Sequence, residues 1–219
     1  MPIPCWGNDM QSLALFPLQL VVFPGEVLNL HIFEPRYRDL VADVETEGHH
    51  FGVPTVMEGR LQPIATEVRL REVANRYPGG ESDIRAEGGR IFHIDRFYRE
   101  YPGKPYPGGE VSYLPVDEDE STQLNEHIVQ LTREIYSKLR IEREVRSVAD
   151  GFRTFDLGHY VGFTLEQEYL FLTLLDAGQR QRYLLEHLLQ VRPRVGDPLG
   201  IRARAELNGH FQELSPPDF

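Results

Sequence analysis

LALFPLQLVVFPGEVLNLHIFEPRY, residues 13–37, is the stretch that decides the fold of the N-terminal half of this chain. It is strongly apolar, but Pro17 and Pro24 interrupt it. Proline lacks the backbone N–H that a strand needs and biases the residue before it towards extended geometry. The two apolar pieces after these prolines, Leu18–Val22 and Val27–Ile32, are therefore predicted to be short buried strands.

A helix is predicted to follow directly, since Pro35 suits the first helical position. Apolar residues then recur at helical spacing, namely Tyr37, Leu40, Val41 and Val44. Gly48 supplies a C-terminal stop, because glycine readily adopts the left-handed conformation that ends many helices. The helix is thus amphipathic, and we expect it to lie across a sheet.

Short strand patterns with turn signals between them fill the rest of this half. Ala65–Val73 alternates apolar and charged residues, as a half-solvated strand does. Glu87–Arg90, with two central glycines, is predicted to be a tight hairpin turn between two further strands. Val111–Leu114 is predicted to be the closing strand. Many short strands with one early helix predict a small, partly open antiparallel β-barrel.

The second half is predicted to be helical. It begins after the acidic run Asp117–Glu120, which is predicted to be a solvated linker or a helix start. Three helix starts carry predicted caps, at Ser121, at the pair Thr164 and Gln167, and at the pair Asp176 and Gln179. A last short helix is predicted over Asp197–Asn208. The expected fold class is α+β, with a β-barrel domain over residues 1–118 and an α-helical bundle over residues 119–219.

Two segments resemble a known family. LFPL followed by VVFPGEVLNLHIFEPRYRDLV resembles the opening of the Lon amino-terminal domain family, the substrate-recognition module of Lon-type ATP-dependent proteases. LGHYVGFTLEQEYLFLTLLDAGQRQRYLLEHLL resembles the helical half of stand-alone Lon-domain proteins. The resemblance departs from the family pattern at Ile91, where an arginine often precedes the phenylalanine that is Phe92 here.

The resemblance implies a fold and an organisation. The fold implied is the Lon amino-terminal barrel, which is related to PUA-like barrels. In full Lon proteases an ATPase and a peptidase domain follow the helices, whereas this chain ends before them. We therefore expect a stand-alone member of the family without those two domains.

The charge and the apolar pattern limit the partners. Residues 1–120 hold 20 acidic and 11 basic side chains, a net charge of −9, and residues 121–219 hold 14 and 12, a net charge of −2. Because acidic surfaces repel phosphate backbones, nucleic acid is an unfavourable partner. No apolar run approaches the ~20 residues that span a bilayer, and the N-terminus lacks the pattern of a signal peptide. A cytoplasmic protein with no membrane partner is expected.

Motifs for catalysis are missing from the sequence. It contains no phosphate-binding P-loop, no G-x-S-x-G nucleophile motif and no dinucleotide fingerprint. The eight histidines form no H-x-x-x-H pair, and the single cysteine, Cys5, excludes a cysteine-cluster zinc site. Lys138 beside Ser137 does not match a Lon-type Ser/Lys dyad. We expect no enzyme activity, no cofactor and no metal.

The candidate binding residues lie in two loops and at one helix start. The loops 77–80 and 101–109 are rich in Tyr, Pro and Gly, and rigid tyrosines suit contact with peptides. The peptide-binding candidates are Glu34, Arg36, Tyr37, Tyr77, Tyr101 and Tyr106. The alternative is that Glu34 and Arg36 make helix-dipole and ion-pair contacts, and that the loops are solvated turns. His31 is predicted to be a hydrogen-bonded structural histidine.

A non-catalytic polypeptide-binding module is the function that these observations favour. It would bind unfolded or exposed segments by β-augmentation along an open barrel edge, with polypeptide clients or a protease or chaperone as partners. The main alternative is an RNA-binding protein, since PUA-like barrels often bind RNA. The charge of −9 on the barrel half opposes RNA binding. Two weaker hypotheses are an enzyme with an unrecognised site and a scaffold that acts through the helical half.

Overall fold

The structure, a computed structural model, describes residues 10–48 and 50–192. These residues divide into two compact units. The barrel unit contains residues 10–22 and 27–114, and the helical unit contains residues 23–26 and 115–192. The helix predicted over Asp197–Asn208 lies outside the described residues.

The barrel unit is a six-stranded sheet with one helix. Its elements are β1 (Gln11–Leu15), β2 (Val27–Ile32), α1 (Pro35–Glu47), β3 (Phe51–Met57), β4 (Arg60–Arg76), β5 (Ser82–Tyr98) and β6 (Gly108–Tyr113). The strand order is β2-β5-β4-β3-β1-β6, and β6 also pairs with β5, so five strands close into a ring and β2 remains outside it. The predicted partly open barrel is confirmed, although one pair of neighbours, β1 and β3, is parallel.

The opening segment folds only partly as predicted. The strand Val27–Ile32 is confirmed as β2. The prediction of a strand at Leu18–Val22 was wrong, because only Leu18 makes a ladder contact, an isolated bridge to Thr55. The rest of that piece is irregular and buried, and the Thr66 hydroxyl donates to the Val22 carbonyl. Leu20, Val21, Val22 and Phe23 are all buried, but they make no strand ladder.

The turn predicted at Glu87–Arg90 was also wrong, because Gly88 and Gly89 lie inside the continuous strand β5. The pairing of β4 with β5 shifts register between Thr66 and Val68, opposite these glycines. A Cβ on Gly89 would lie 3.4 Å from the Glu67 carbonyl oxygen, so a glycine allows the close approach at the bulge. The β3–β4 hairpin instead turns at Gly59, which has a φ of 71°.

Helix α1 follows its local signals. Pro35 occupies the start of the helix, and Gly48 ends it with a φ of 67° while its N–H donates to the Val44 carbonyl at 3.0 Å. The predicted apolar face is the buried face of the helix: Tyr37, Leu40, Val41 and Val44. The ring interior holds a separate core, centred on Leu15, Phe92 and Val111.

The helical unit contains three α-helices and one 3-10 turn. These are α2 (Thr122–Leu139), the turn Thr154–Leu157, α3 (Leu165–Thr173) and α4 (Ala177–Val191). Ser121 caps α2, and Thr164 with Gln167 forms the predicted capping box of α3. Asp176 accepts from the Gln179 N–H at 2.7 Å and caps α4. No helix in the described part of the chain is long and apolar enough to span a membrane.

A buried arginine joins the helices to the segment before them. Arg180 is 1% exposed, and all of its guanidinium nitrogens donate. Its acceptors are the Thr154 hydroxyl, the carbonyls of Asp117, Leu174 and Leu175, and the Glu120 carboxylate. The acidic run is therefore not solvated throughout, because the side chain of Glu120 is only 8% exposed and also accepts from Thr154. The positive charge of Arg180 offsets the cost of burying this carboxylate.

Replacing Arg180 by methionine is expected to destabilise the protein by about 3 to 5 kcal/mol, because Glu120 then remains buried without its cation. The measurement is the free energy of unfolding in urea. Arg192→Met is the matched control, since Arg192 pairs with Glu134 at 3.2 Å on the surface and is 48% exposed. The double variant R180M/E120Q should regain part of the loss. Equal effects of R180M and R192M would contradict the prediction.

Candidate functional site

Strand β2 has one free edge among the described strands. It pairs with β5 from Val27 to Ile32, and no other described strand pairs with it. Its buried residues are Leu28, Leu30 and Ile32, whereas Val27 is 53% exposed. A free strand edge presents unpaired backbone N–H and C=O groups, which an extended peptide can pair with.

An aromatic patch, formed by His31, Phe33 and Tyr77, lies where β2 ends. Phe33 is 36% exposed and Tyr77 is 42% exposed, which makes both members of the small group of exposed large apolar residues. The His31 ring stacks on Phe33 with 6.1 Å between centroids and meets the edge of Tyr77 at 5.8 Å. The three rings therefore form one continuous surface at the end of β2, and it extends over the neighbouring strand β5, where Asp83 bonds His31 and Tyr77.

Asp83 holds two of the three rings in place through hydrogen bonds. It accepts from His31 Nδ1 at 2.7 Å, from the Tyr77 hydroxyl at 2.7 Å and from Asn75 at 3.0 Å. These hydrogen bonds lower the pKa of Asp83 to about 2, and the bond from His31 has the largest effect. Asp83 therefore stays ionised at neutral pH. His31 is hydrogen-bonded to this carboxylate, as the sequence predicted. Tyr77 is exposed but held in place.

Arg38 ties Phe33 to the loop that carries Tyr77. Its Nε donates to the Phe33 carbonyl at 2.7 Å, and its Nη1 donates to the Gly79 carbonyl at 2.6 Å. A longer contact of 3.8 Å joins it to Glu81. Neither Arg38 nor Phe33 was among the residues predicted from the sequence, because a bond to a carbonyl 41 residues away leaves no local signal.

The three candidates at the helix start are placed differently. Arg36 Nε donates to Glu34 Oε2 at 2.9 Å, the ion pair that the alternative interpretation describes. Tyr37 is 1% exposed and packs on Phe16, with 4.3 Å between ring centroids. Burial raises the pKa of Tyr37 to about 12. Glu34 and Arg36 directly follow Phe33 along the chain, whereas Tyr37 belongs to the core.

The other two tyrosine candidates come together at a second place, the barrel cleft. This cleft measures about 440 Å³ and is bordered by β1, the end of α1 and the loop before β6. Tyr101 and Tyr106 stack there, with 6.4 Å between centroids. Tyr106 is 3% exposed and donates to Asp43 Oδ2 at 2.6 Å, and Lys104 donates to the same oxygen at 2.8 Å.

A second polar group lines the cleft at Glu67, which is 5% exposed. It accepts from Arg90 at 3.1 and 3.2 Å and from the Tyr113 hydroxyl at 2.5 Å, and His50 Nδ1 lies 3.3 Å away. Burial acts to raise the pKa of Glu67, but the bonds from Arg90 and Tyr113 prevail and hold it below its usual value. The Arg90 guanidinium also lies 3.5 Å over the Tyr113 ring. This group was not predicted from the sequence, because Arg90 was expected to lie in a turn.

The helical unit contains a buried cluster of three titratable side chains, centred on a histidine. His159 is 2% exposed and lies between two carboxylates, 3.1 Å from Glu26 and 3.0 Å from Glu168. The Glu26 carboxylate also accepts from the Phe23 N–H at 3.0 Å, so the triad fixes the short segment 23–26 on the helices. Because water and substrate do not reach so buried a group, we assign the triad a structural role.

No three His, Cys, Asp or Glu side chains among the described residues are placed to hold a metal ion. The two surfaces that remain are a strand edge with aromatic rings and a cleft with paired charges. Both are suited to binding.

Comparison with known proteins identifies the family. The family model of the ATP-dependent protease La (LON) substrate-binding domain matches residues 12–190, and the chain therefore belongs to that family. A Lon N-terminal domain protein from Xanthomonas campestris is similar in structure, with 28% sequence identity and a TM-score of 0.62 over 80% of this chain and 98% of that one. No curated protein matches.

A second solved structure supports the fold. The N-terminal domain of a Mycobacterium avium complex Lon protease has a TM-score of 0.55 over 81% of this chain and 98% of that one. Its sequence identity is 18%, so this likeness concerns the fold alone. The barrel and helices that the sequence resemblance implied are thus shared with both relatives.

The buried His159 predicts that stability depends on pH. Burial alone lowers the pKa of His159, but the charges and hydrogen bonds of Glu26 and Glu168 outweigh it and raise the pKa to about 9, from 6.5 in an unperturbed imidazole. Because the folded pKa is the higher one, the stabilisation is complete below about pH 6.5 and is lost as the pH rises through about 9. Urea unfolding across that range should show falling stability.

His159→Gln should remove most of this decline, because the glutamine does not titrate. His93→Gln is the control, since His93 pairs with Asp95 and is 45% exposed. A decline of the same size in H159Q as in the unaltered protein would show that His159 is not its source.

Proposed function

We propose that this member of the LON substrate-binding domain family is a non-catalytic module that binds exposed, extended segments of other polypeptides. Family membership over residues 12–190 supports recognition of protein substrates. The observation that carries the proposal is the edge of β2 that no described strand pairs with, together with the exposed and fixed rings of Phe33 and Tyr77 at the end of that strand.

Strand addition explains why unfolded segments would be preferred. A client strand that pairs with β2 needs unpaired backbone N–H and C=O groups, which a folded protein has already used in its own secondary structure. The hydrogen bonds to β2 are independent of sequence, and the aromatic patch takes an apolar side chain of the client. Asp83 and Arg38 hold the patch in place before binding, which lowers the entropy lost when a client is bound.

The candidate peptide-binding residues take different roles in this proposal. Tyr77 contacts the client directly, and Glu34 with Arg36 borders the patch and contacts charged or polar groups of the segment. Tyr37, which is 1% exposed, supports α1 from inside. Tyr101 and Tyr106 belong to the barrel cleft and contribute no contact at β2. The partners are polypeptide clients, or a protease or chaperone that exchanges them.

The decisive experiment is a fluorescence-anisotropy titration with three labelled ligands at low and high salt. These are a reduced, unfolded protein, the same protein in its folded form, and a structured RNA. We expect saturable binding of the unfolded form that persists at high salt, because backbone pairing and apolar contact are not screened. Equal binding of the folded form, or binding of RNA alone with a steep loss in salt, would overturn the proposal.

Removing either exposed ring should weaken client binding. Phe33→Ala and Tyr77→Ala are each expected to raise the Kd for the unfolded client by about 5- to 30-fold, as truncation of an aromatic anchor does. Tyr77→Phe should cost less, since it keeps the ring and loses only the bond to Asp83. The readout is the same anisotropy titration.

Leu189→Ala is the matched control for these variants, because Leu189 is 44% exposed and lies on α4 of the helical unit. Its Kd should equal that of the unaltered protein. If L189A weakened binding as much as Y77A, the aromatic patch would not be the contact surface.

A further inference from the structure

We propose that the barrel cleft is a second binding site, which takes the guanidinium of an arginine side chain in a polypeptide. This goes beyond client binding at β2, because no residue of the aromatic patch lines the cleft. The volume of about 440 Å³ lies within the range of ligand pockets, roughly 300–1,000 Å³.

The charges around the cleft favour a cation. The carboxylates of Asp43, Glu47 and Glu67 line it, with the basic side chains of Arg90 and Lys104 and with His50, which lies 3.3 Å from Glu67. The C-terminal end of α1 also meets the cleft and adds a partial negative charge there, which Lys104 beside Asp43 offsets in part. Three carboxylates thus line the cleft with two bases and one histidine, and Asp43 is the carboxylate that a positive ligand group can reach.

One carboxylate oxygen in the cleft is left to bond a ligand. Both hydrogen bonds to Asp43, from Lys104 and Tyr106, end on Oδ2, and Oδ1 accepts none within the part of the chain that the structure describes. The bonds from Lys104 and Tyr106 lower the pKa of Asp43, so it is ionised at neutral pH. Its side chain is 30% exposed, within reach of a donor that enters from outside.

The half-buried ring of Tyr101 suits a planar cation, whereas Tyr106 is 3% exposed and supports Tyr101 from behind. Half-buried Tyr101 lines the cleft next to its stacking partner Tyr106. Arginine has a flat guanidinium that stacks on rings while its N–H groups bond a carboxylate, and the ammonium of lysine lacks this geometry. The chain already uses this arrangement at the far side of the cleft, where Arg90 covers Tyr113 at 3.5 Å and bonds Glu67.

The strand that borders the cleft favours a polypeptide over a free small molecule. In β1, Gln11–Leu13 pair with β6 on one side, and only Ala14 and Leu15 pair with β3 on the other. The second side of Gln11–Leu13 thus has no ladder partner among the described strands, and these residues line the cleft. An extended segment can pair its backbone there while its arginine reaches Asp43.

The test uses a labelled, flexible peptide with one arginine and the same peptide with citrulline, which has the same shape without the charge. Anisotropy titrations of the full chain should show saturable binding of the arginine peptide and at least about tenfold weaker binding of the citrulline peptide. Asp43→Asn should remove that difference. Glu45→Gln is the matched control, because Glu45 lies on the same helix, pairs with Arg76 outside the cleft and should leave the difference intact.

A second variant covers the case in which D43N unfolds. Ser12 is exposed on β1 at the border of the cleft, so Ser12→Arg adds a competing cation without disturbing the core, and it should abolish the preference for arginine. Unfolding temperatures establish that each variant is folded. Free N-acetylarginine amide, added as a competitor, should displace the peptide only weakly.

Three results would overturn the proposal: equal binding of the two peptides, equal effects of D43N and E45Q, or full displacement by the free amide at the peptide's own concentration. The last would show a site for guanidinium from any source. Binding of the unfolded client and its loss in Y77A form a separate readout. If the unfolded client binds and Y77A weakens that binding, but the arginine peptide is not preferred, only the cleft site is contradicted. If the arginine peptide is preferred but the unfolded client does not bind, only the function proposed for β2 is contradicted.

Discussion

Strand β5 imposes the constraint on which the barrel unit depends. It is 17 residues long, and it pairs with β4 along one edge and with two strands along the other. That second edge holds β2 over Ser82–Glu87 and β6 over Phe92–Tyr98. Because β6 also pairs with β1, it closes the ring, whereas no described strand pairs with the other edge of β2. The free strand edge is therefore a consequence of how one long strand divides its hydrogen bonds.

The change of partner along β5 also builds the cleft. Between the two paired stretches lie Gly88, Gly89 and Arg90, opposite a register shift in β4. The bulge brings the Glu67 carbonyl close to Gly89 and lets Arg90 reach the Glu67 carboxylate at 3.1 Å. One irregularity thus positions the charged wall of the cleft. Two glycines in a row produce the same local signal in a hairpin and in a bulge, and only the pairing with a distant strand decides between them.

The features that the sequence predicts depend on neighbouring residues, and those that it does not predict depend on contacts with distant parts of the chain. Pro35, Gly48, Ser121 and the Thr164–Gln167 box act on their own helices, so those helix ends were predictable. The hydrogen bonds of Arg180 and Arg38 join residues far apart in the chain, so no local sequence pattern predicts them. At the candidate site, loop composition predicted both Tyr77 and Tyr106 as peptide contacts. It did not distinguish exposed Tyr77 from buried Tyr106, because burial follows from packing of the whole unit.

The proposed sites have complementary selectivity. Backbone pairing at β2 and apolar contact at Phe33 and Tyr77 would accept almost any unfolded chain, because neither reads the sequence closely. A carboxylate in a partly enclosed cleft supplies discrimination, since a neutral side chain leaves Asp43 Oδ1 desolvated without a donor. The charge of −9 on residues 1–120 acts in the same direction, as it repels phosphate and attracts basic segments. An acidic barrel that binds unfolded chains and selects those with arginine accounts for the edge, the cleft and the charge together.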